Sequence, residues 1–269
     1  MQTAIDLSGI FDLQERRNDS WVGESPPYPW GRIYGGLVIA QALWAATQTV
    51  VAEHSVHSLH GYFILGGDPR EPVRYEVDRI RDGRSFSTRR VVAQQSSGAI
   101  FNLSCSFQRY EDGPETQFTP FPTGLPDPEA CEVQLDGAGI ERADVPTADD
   151  GSRFRVWTRF PALAGGDQRL QACALAYASD AFPLEAVVAA HPKELSGGDD
   201  WSENLMVASL DHAMWFHRPI RADEWLLIDM DSHGILRTRG LSTGYCFAPD
   251  GQHIATIAQE GLIREVRKT

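Results

Sequence analysis

Three polar residues in the second half of the chain have the types that activate water. Asp180 follows Tyr177-Ala178-Ser179 at the end of an apolar segment, Ser209 precedes Leu210-Asp211-His212, and Gln259 opens Gln259-Glu260-Gly261. An ionised Asp180 accepts a proton from water as general base. Ser209 offers a hydroxyl, and Gln259 both a donor and an acceptor, to fix that water. Backbone N–H groups at a Gly-Gly helix start, either Gly35-Gly36 or Gly165-Gly166, would stabilise a developing oxyanion. A plainer reading stays open at this level: Asp180 sits near a helix end and Gln259 pairs at a strand edge.

The three stand out because the chain repeats itself about 150 residues apart. Ser58-Leu59-His60 with Tyr62-Phe63 is echoed by Ser209-Leu210-Asp211 followed by Trp215-Phe216, Gly83 by Gly234, and Ser106-Phe107-Gln108 by Ile257-Ala258-Gln259. Upstream, Gly35-Gly36 and Ala42-Leu43-Trp44-Ala45-Ala46 are matched by Gly165-Gly166 and Ala174-Leu175-Ala176-Tyr177-Ala178, at an offset about 20 smaller. A loop of different length produces such a change. Solenoid periods are roughly 20–50 residues, so this is a duplicated domain. In the first copy the counterparts of the trio are Gln48, Ser58 and Gln108. Serine and glutamine persist, but the carboxylate occurs once. A site that needs a base finds it only in the second copy.

Composition narrows the rest. The 269 residues are 42% hydrophobic and 23% charged, with a net charge of −13. That is an ordinary globular composition without the basic stripe of a nucleic-acid binder. Cys105, Cys131, Cys173 and Cys246 have no C-x-x-C spacing, so neither structural zinc nor a disulfide framework is expected. The N-terminus lacks a basic region followed by an apolar run. No apolar stretch approaches the roughly 18 residues that span a bilayer. A cytoplasmic protein without a membrane span is the expectation.

The elements that must position the trio follow from pattern. Residues 37–51 are apolar on nearly every face, which predicts a buried helix. Strands are predicted over 57–65, 73–80, 85–95 and 100–109, divided by Gly66-Gly67-Asp68-Pro69, Asp82-Gly83 and Ser96-Ser97-Gly98. Residues 111–152 are rich in Pro, Asp, Glu and Gly and read as a linker. The second copy opens with an alternating strand at 154–160, a helix over 168–180 and a further turn or helix to 190. Strands at 206–218, 224–231, 240–248 and 254–265 complete it, with Pro249-Asp250-Gly251 as a hairpin signal. The fold class is α+β, a sheet wrapped on a buried helix in each copy.

Other chemistries are poorly supported. His212 and His217, five apart on one strand, point to opposite faces and do not share a metal. His57 and His60 fare no better, and packing or surface roles are assigned to all four. There is no G-x-S-x-G elbow and no P-loop. No motif supplies Ser209 with an activating histidine, which disfavours an acyl-serine.

The wording of both copies resembles the acyl-CoA thioesterase II family from about residue 20 to 265. Tyr34-Gly35-Gly36 through Gln41-Ala42-Leu43, His57-Ser58-Leu59-His60 with Tyr62-Phe63, and Arg81-Asp82-Gly83-Arg84-Ser85-Phe86 resemble its N-terminal half. Tyr177-Ala178-Ser179-Asp180, the run from Ser209 to Trp215-Phe216-His217-Arg218-Pro219, and Gln259-Glu260-Gly261 resemble its C-terminal half. The resemblance implies a double hotdog, with an N-terminal hotdog over 1–110, a linker over 111–152 and a C-terminal hotdog over 153–269. It implies hydrolysis of fatty acyl-CoA without a cofactor or metal, Asp180, Ser209 and Gln259 jointly activating a water. Gly35, Gly36, His60 and Arg84 are the expected substrate contacts. Arg81, Arg89, Arg90, Arg237 and Arg239 are further candidates for the CoA phosphates. Leu37 stands where the family often has Gln, and the linker is short for the family. A homo-oligomer is implied as well. Two alternatives are a non-catalytic acyl-CoA sensor and a hotdog enoyl-CoA hydratase. The second is weakened because Phe182 and Glu185 stand where the hydratase motif has Asn and its catalytic His.

Overall fold

A computed structural model describes residues 9–146, 153–161, 165–192 and 204–266. Its strands form one continuous antiparallel sheet. In chain order they are β1 (Gln14–Arg16), β2 (Ser20–Gly23), β3 (His54–Phe63), β4 (Val73–Asp82), β5 (Phe86–Gln95), β6 (Gly98–Arg109), β7 (Val133–Leu135) and β8 (Glu141–Val145). There follow β9 (Arg153–Arg159), β10 (Leu205–Ser209), β11 (Asp211–Phe216), β12 (Leu226–Leu236), β13 (Arg239–Phe247) and β14 (His253–Glu265). The spatial order is β1-β2-β4-β5-β6-β3-β11-β14-β13-β12-β9-β8-β7, with β10 also on β14. The two half-sheets meet edge to edge at β3 and β11, so the copies share one sheet instead of carrying two separate ones.

The register at that seam shows the duplication in three dimensions. His60 pairs with Ala213, Gly61 with His212 and Tyr62 with Asp211. The offset that carries Ser58 onto Ser209 exchanges the outer two pairs and returns Gly61–His212 to itself. An approximate two-fold axis therefore passes through the Gly61–His212 pair. Joining the half-sheets this way also removes one exposed edge from each copy.

Three helices fill the concave side: α1 (Gly35–Thr47), α2 (Gln168–Ser179) and α3 (Ala181–Ala189). Helix α1 buries nearly its whole circumference, as its all-round apolar sequence requires. It packs on β4, β5 and β6, α3 packs on β12, β13 and β14, and α2 lies against α1. Asp180 is at once the last cap of α2 and the first of α3, in helical conformation. The resulting run, 168–189, has a mean hydropathy of 1.3 and is long and apolar enough to cross a bilayer. It corrects the expectation that no such stretch exists. With 78% of its most apolar 18-residue window buried inside the protein, the run is a core helix.

The stretch expected as a linker is more structured than its composition suggests. It carries a 3-10 turn at Pro128–Ala130 and the β7–β8 hairpin, which extends the sheet beyond β9. Ala138, Ile140, Ala143 and Val145 are buried. Its last residues, 147–152, lie outside the described residues.

Candidate active site

The site forms where the start of α1 meets the end of α2. Tyr34 donates its hydroxyl to the carbonyl of Tyr177 at 2.8 Å. Tyr28 and Tyr177 share a hydrogen bond at 2.9 Å, and Tyr177 donates to the carbonyl of Ala138 at 2.6 Å. This aromatic clamp brings the helices close enough that a Cβ on Gly36 would run into the carbonyl of Tyr177. One on Gly35 would lie 2.6 Å from Asp180 Oδ2. The glycine pair is thus a spatial requirement of placing Asp180 against the first turn of α1. Tyr34 caps that helix without a side-chain hydrogen bond, and the Gly36 N–H is taken up by the Asp180 carboxylate, which leaves the Gly35 N–H without a cap. Gly165, of the other Gly-Gly pair, instead donates its N–H to Asp223.

Asp180 is 4% exposed. Ser209 donates to its Oδ1 at 2.9 Å, and Gln259 Nε2 donates to Ser209 Oγ at 3.0 Å. The three residues named from sequence therefore form one connected chain. Asp180 and Ser209 line a cavity of about 600 Å³, whereas Gln259 lies behind Ser209 and does not line it. Burial raises the Asp180 carboxyl above its ordinary value. His212 and hydrogen bonds from Ser209, Gln259 and the Gly36 N–H pull the other way. The cavity walls are mainly apolar, with Ile33, Val38, Phe63, Phe101, Leu184 and Val188 among them. Arg32 stands exposed at the rim.

His60 and Arg84 do not join this group. On β3 Leu59 faces the helices, so alternation turns His60 outward, where its ring meets Trp215 edge-on. Arg84 is exposed in the turn between β4 and β5. Arg89 is fully buried and holds Thr49 and Asp82, Arg90 pairs with Asp78, Arg239 pairs with Glu260, and Arg81 and Arg237 are exposed away from the cavity. Arg32, absent from the sequence-based candidates, is the arginine the cavity does contain. Its only sequence signal is its place just ahead of Tyr34-Gly35-Gly36.

From sequence His212 has a packing or surface role, and the structure places it buried beside the site. It is buried, its Nδ1 meets Gln259 Oε1, and its Nε2 lies 2.8 Å from Ser179 Oγ. The face it takes results from an irregularity. Between Ser209↔Gly261 and Ala213↔Ala258 the β10–β11 strand advances four residues against three on β14. Such a bulge resets the alternation, so residues three apart, Ser209 and His212, both approach the helices. His217 is exposed and hydrogen-bonds Thr256, as the opposite-face reading of the two histidines expects. Among the described residues no cluster of His, Cys, Asp or Glu has metal-ligating geometry.

A helix-filled antiparallel sheet, duplicated about a dyad and enclosing a carboxylate at a helix–helix junction, defines a double-hotdog protein of the acyl-CoA thioesterase class. The acyl-CoA thioesterase N-terminal domain matches residues 25–108 and the C-terminal domain residues 109–263, and the chain belongs to this family. It is 33% identical to human acyl-coenzyme A thioesterase 8, over 97% of this chain and 89% of that one. It is 34% identical to acyl-CoA thioesterase 2 of Haemophilus influenzae, over 97% and 95%. Among solved structures, acyl-CoA thioesterase II TesB2 of Mycobacterium marinum superposes with a TM-score of 0.84 at 37% identity, over 97% and 99% of the two chains. A hot dog fold protein of Alicyclobacillus acidocaldarius, 15% identical with a TM-score of 0.79, shares the fold.

Proposed function

We propose that the protein hydrolyses acyl-CoA thioesters with Asp180 as general base. Ser209 orients the water directly and Gln259 acts through Ser209. The observation that carries the reading is a buried carboxylate set between an apolar cavity of about 600 Å³ and the start of α1 at Gly35-Gly36. Cavities of this size and lining hold a small apolar group and fix it with few polar contacts. The acyl chain lies along the apolar walls, and its thioester carbonyl points at the Gly35 N–H, since the Gly36 N–H is held by the Asp180 carboxylate. Asp180 takes a proton as water adds to the carbonyl carbon, and the oxygen that gains charge is held by the Gly35 N–H at the start of α1. The intermediate collapses by breaking the C–S bond. The thiolate of CoA leaves with the proton Asp180 returns, and the net products are free acid and CoA. No cofactor enters this scheme.

The rim position of Arg32 supports a contact with the CoA phosphates. Tyr62 and Trp215, exposed on the outward faces of β3 and β11, support association of chains through the outer sheet face. Light scattering on purified protein tests that association. Four free cysteines, three of them buried, support the cytoplasm as the compartment.

Release of free CoA from a panel of acyl-CoAs, short to long, tests the activity, with Asp180→Asn run alongside. Wild type is expected to turn over at least one chain-length class. The variant is expected to lose roughly 10²–10⁴-fold in kcat. Tight binding without turnover by the wild type would establish the sensor alternative in its place.

A further inference from the structure

We infer that His212 is a positioning residue: its Nδ1–H fixes the direction of the hydrogen-bond chain Ser179–His212–Gln259–Ser209–Asp180, and so keeps the Ser209 proton on the Asp180 carboxylate. The inference rests on the proposed reading of Asp180 as base. Each link follows from the one before. An ionised carboxylate only accepts, so Ser209 Oγ donates to Asp180 Oδ1 at 2.9 Å. With its single proton used, Ser209 Oγ can only accept, and the group 3.0 Å away must be the amide –NH2 of Gln259. That orientation turns Gln259 Oε1 to His212, which must then donate from Nδ1. A neutral ring protonated at Nδ1 has a bare Nε2, and the Ser179 hydroxyl 2.8 Å away completes the chain. With the other tautomer, Nδ1 and Gln259 Oε1 would oppose lone pairs. The amide would turn over, and Ser209 would face two acceptors with one proton to give.

The duplication supplies an independent line of support. The offset that carries Ser58 onto Ser209 carries Gly61 onto His212, and the two are paired across the seam. The first copy keeps Ser58 and Gln108 but has Gln48 for the carboxylate and Gly61 for the imidazole. Even the far end of the chain has a counterpart: Thr47 stands before Gln48 as Ser179 stands before Asp180, each a hydroxyl at the last position of its helix. Base and imidazole are thus present together in one copy and absent together from the other. A ring needed only for packing has no reason to follow the carboxylate. At Gly61 the space is taken by Phe101, which a Cβ there would strike.

The titratable groups that face His212 are Asp180 across the site and Asp211 on its own strand; Ser179, Gln259 and Met214 complete its surroundings. The test uses 15N-histidine-labelled wild type and two substitutions. His212→Asn keeps a donor near the Nδ1 position, and His212→Leu keeps volume without a donor. NMR of the wild type is expected to show a neutral His212 protonated at Nδ1. His212→Leu is expected to lose on the order of 10–100-fold in kcat with KM little changed, the scale on which groups that orient ligands act at metal sites. Its acid limb in kcat/KM is expected to move to higher pH, because Asp180 loses the Ser209 proton that favours its ionised form. His212→Asn is expected to recover most of that kcat and the wild-type limb. An Nε2-protonated ring overturns the inference, and that result stands even where a variant fails to fold. Full activity in His212→Leu overturns it too, as does a folded His212→Asn no better than His212→Leu, which would assign the imidazole a charge or proton-transfer role. Wild type without CoA release fails the activity reading instead and leaves the tautomer measurement intact.

Discussion

Asp180 is a charge kept where water would otherwise solvate it, and that has a consequence for stability apart from turnover. Burial raises its carboxyl above the ordinary value, so the folded chain holds this proton more tightly than the unfolded chain does. By linkage the group favours folding at low pH, and its contribution is lost as pH rises through the raised native pKa. Asp180→Asn removes the buried charge at nearly constant shape. We expect the variant to be more stable than wild type at neutral pH by about 0.5–2 kcal/mol, the range of a single stabilising substitution. The gain should shrink below about pH 4, where both carboxyl states are protonated. Urea unfolding at pH 4 and pH 7 measures it, and a less stable Asp180→Asn at pH 7 would show that hydrogen bonds to the carboxylate outweigh its burial. The same shift sets the pH profile. With Asp180 as the proposed base, activity needs the ionised form, so kcat/KM should rise with pH through a limb lying above the ordinary carboxylate range. At this scale the sequence was legible where a polar residue interrupts an apolar run, as Asp180, Ser209 and Gln259 do. It was not legible for His212, because the bulge that turns it inward leaves no trace in strand alternation. His60 and Arg84 misled because the words around them specify sheet and turn geometry, not the cavity.

The elements owe their arrangement to close approach, and Gly36 is the point where this is tightest. A Cβ there meets the carbonyl of Tyr177, a backbone atom that cannot step aside as a side chain could. The same carbonyl accepts the Tyr34 hydroxyl at 2.8 Å, so one contact fixes both the helix spacing and the first-turn direction of α1. Gly36→Ala is expected to cost on the order of 1–3 kcal/mol by overpacking. Turnover should fall further than stability does, because the N–H groups move relative to Asp180. Gly113→Ala, where an added Cβ meets nothing within 4 Å, serves as the control and should leave both unchanged. Denaturant unfolding and CoA release, run on both variants, check the pair. Helices and strands were readable because α1 is apolar all round and the long strands are rich in β-branched and aromatic residues between glycine turns. The β7–β8 hairpin was hidden because its strands are short and lie among Pro, Asp and Glu, and only Ile140, Ala143 and Val145 mark its inner face. The α2–α3 run escaped a search for spans because Asp180 and Glu185 interrupt a helix that is otherwise apolar.

Among the described residues two cavities are related by the duplication, and only one of them is lined by the proposed base. The dyad at Gly61–His212 relates the cavity at Asp180 to a second of about 340 Å³ where the end of α1 meets the start of α2. In this twin the cap of α1 is Gln48, whose amide donates to Thr47 Oγ1 at 3.0 Å. An amide is neutral and far too weak a base to take a proton from water. The opposing helix start differs as well: the Asp167 carboxylate caps α2 by accepting from the Leu170 N–H at 2.9 Å, where Tyr34 puts no side-chain cap on α1. Arg169 donates to the carbonyls of Thr47, Val50 and Val51, occupying the C-terminal end of α1. His54, His57, Glu111 and Glu115 line the twin, but it has no counterpart of Asp180, of His212 or of a helix start without a side-chain cap, and restoring one of them does not restore a site. We expect Asp180→Asn to leave no second phase of CoA release, and Gln48→Asp added to it to recover none. Calorimetric titration with a thioether analogue of acyl-CoA should give one site per chain. Two equivalent sites, or turnover regained by Gln48→Asp in the Asp180→Asn background, would show that the first copy still holds a working geometry and that the asymmetry lies in the carboxylate alone.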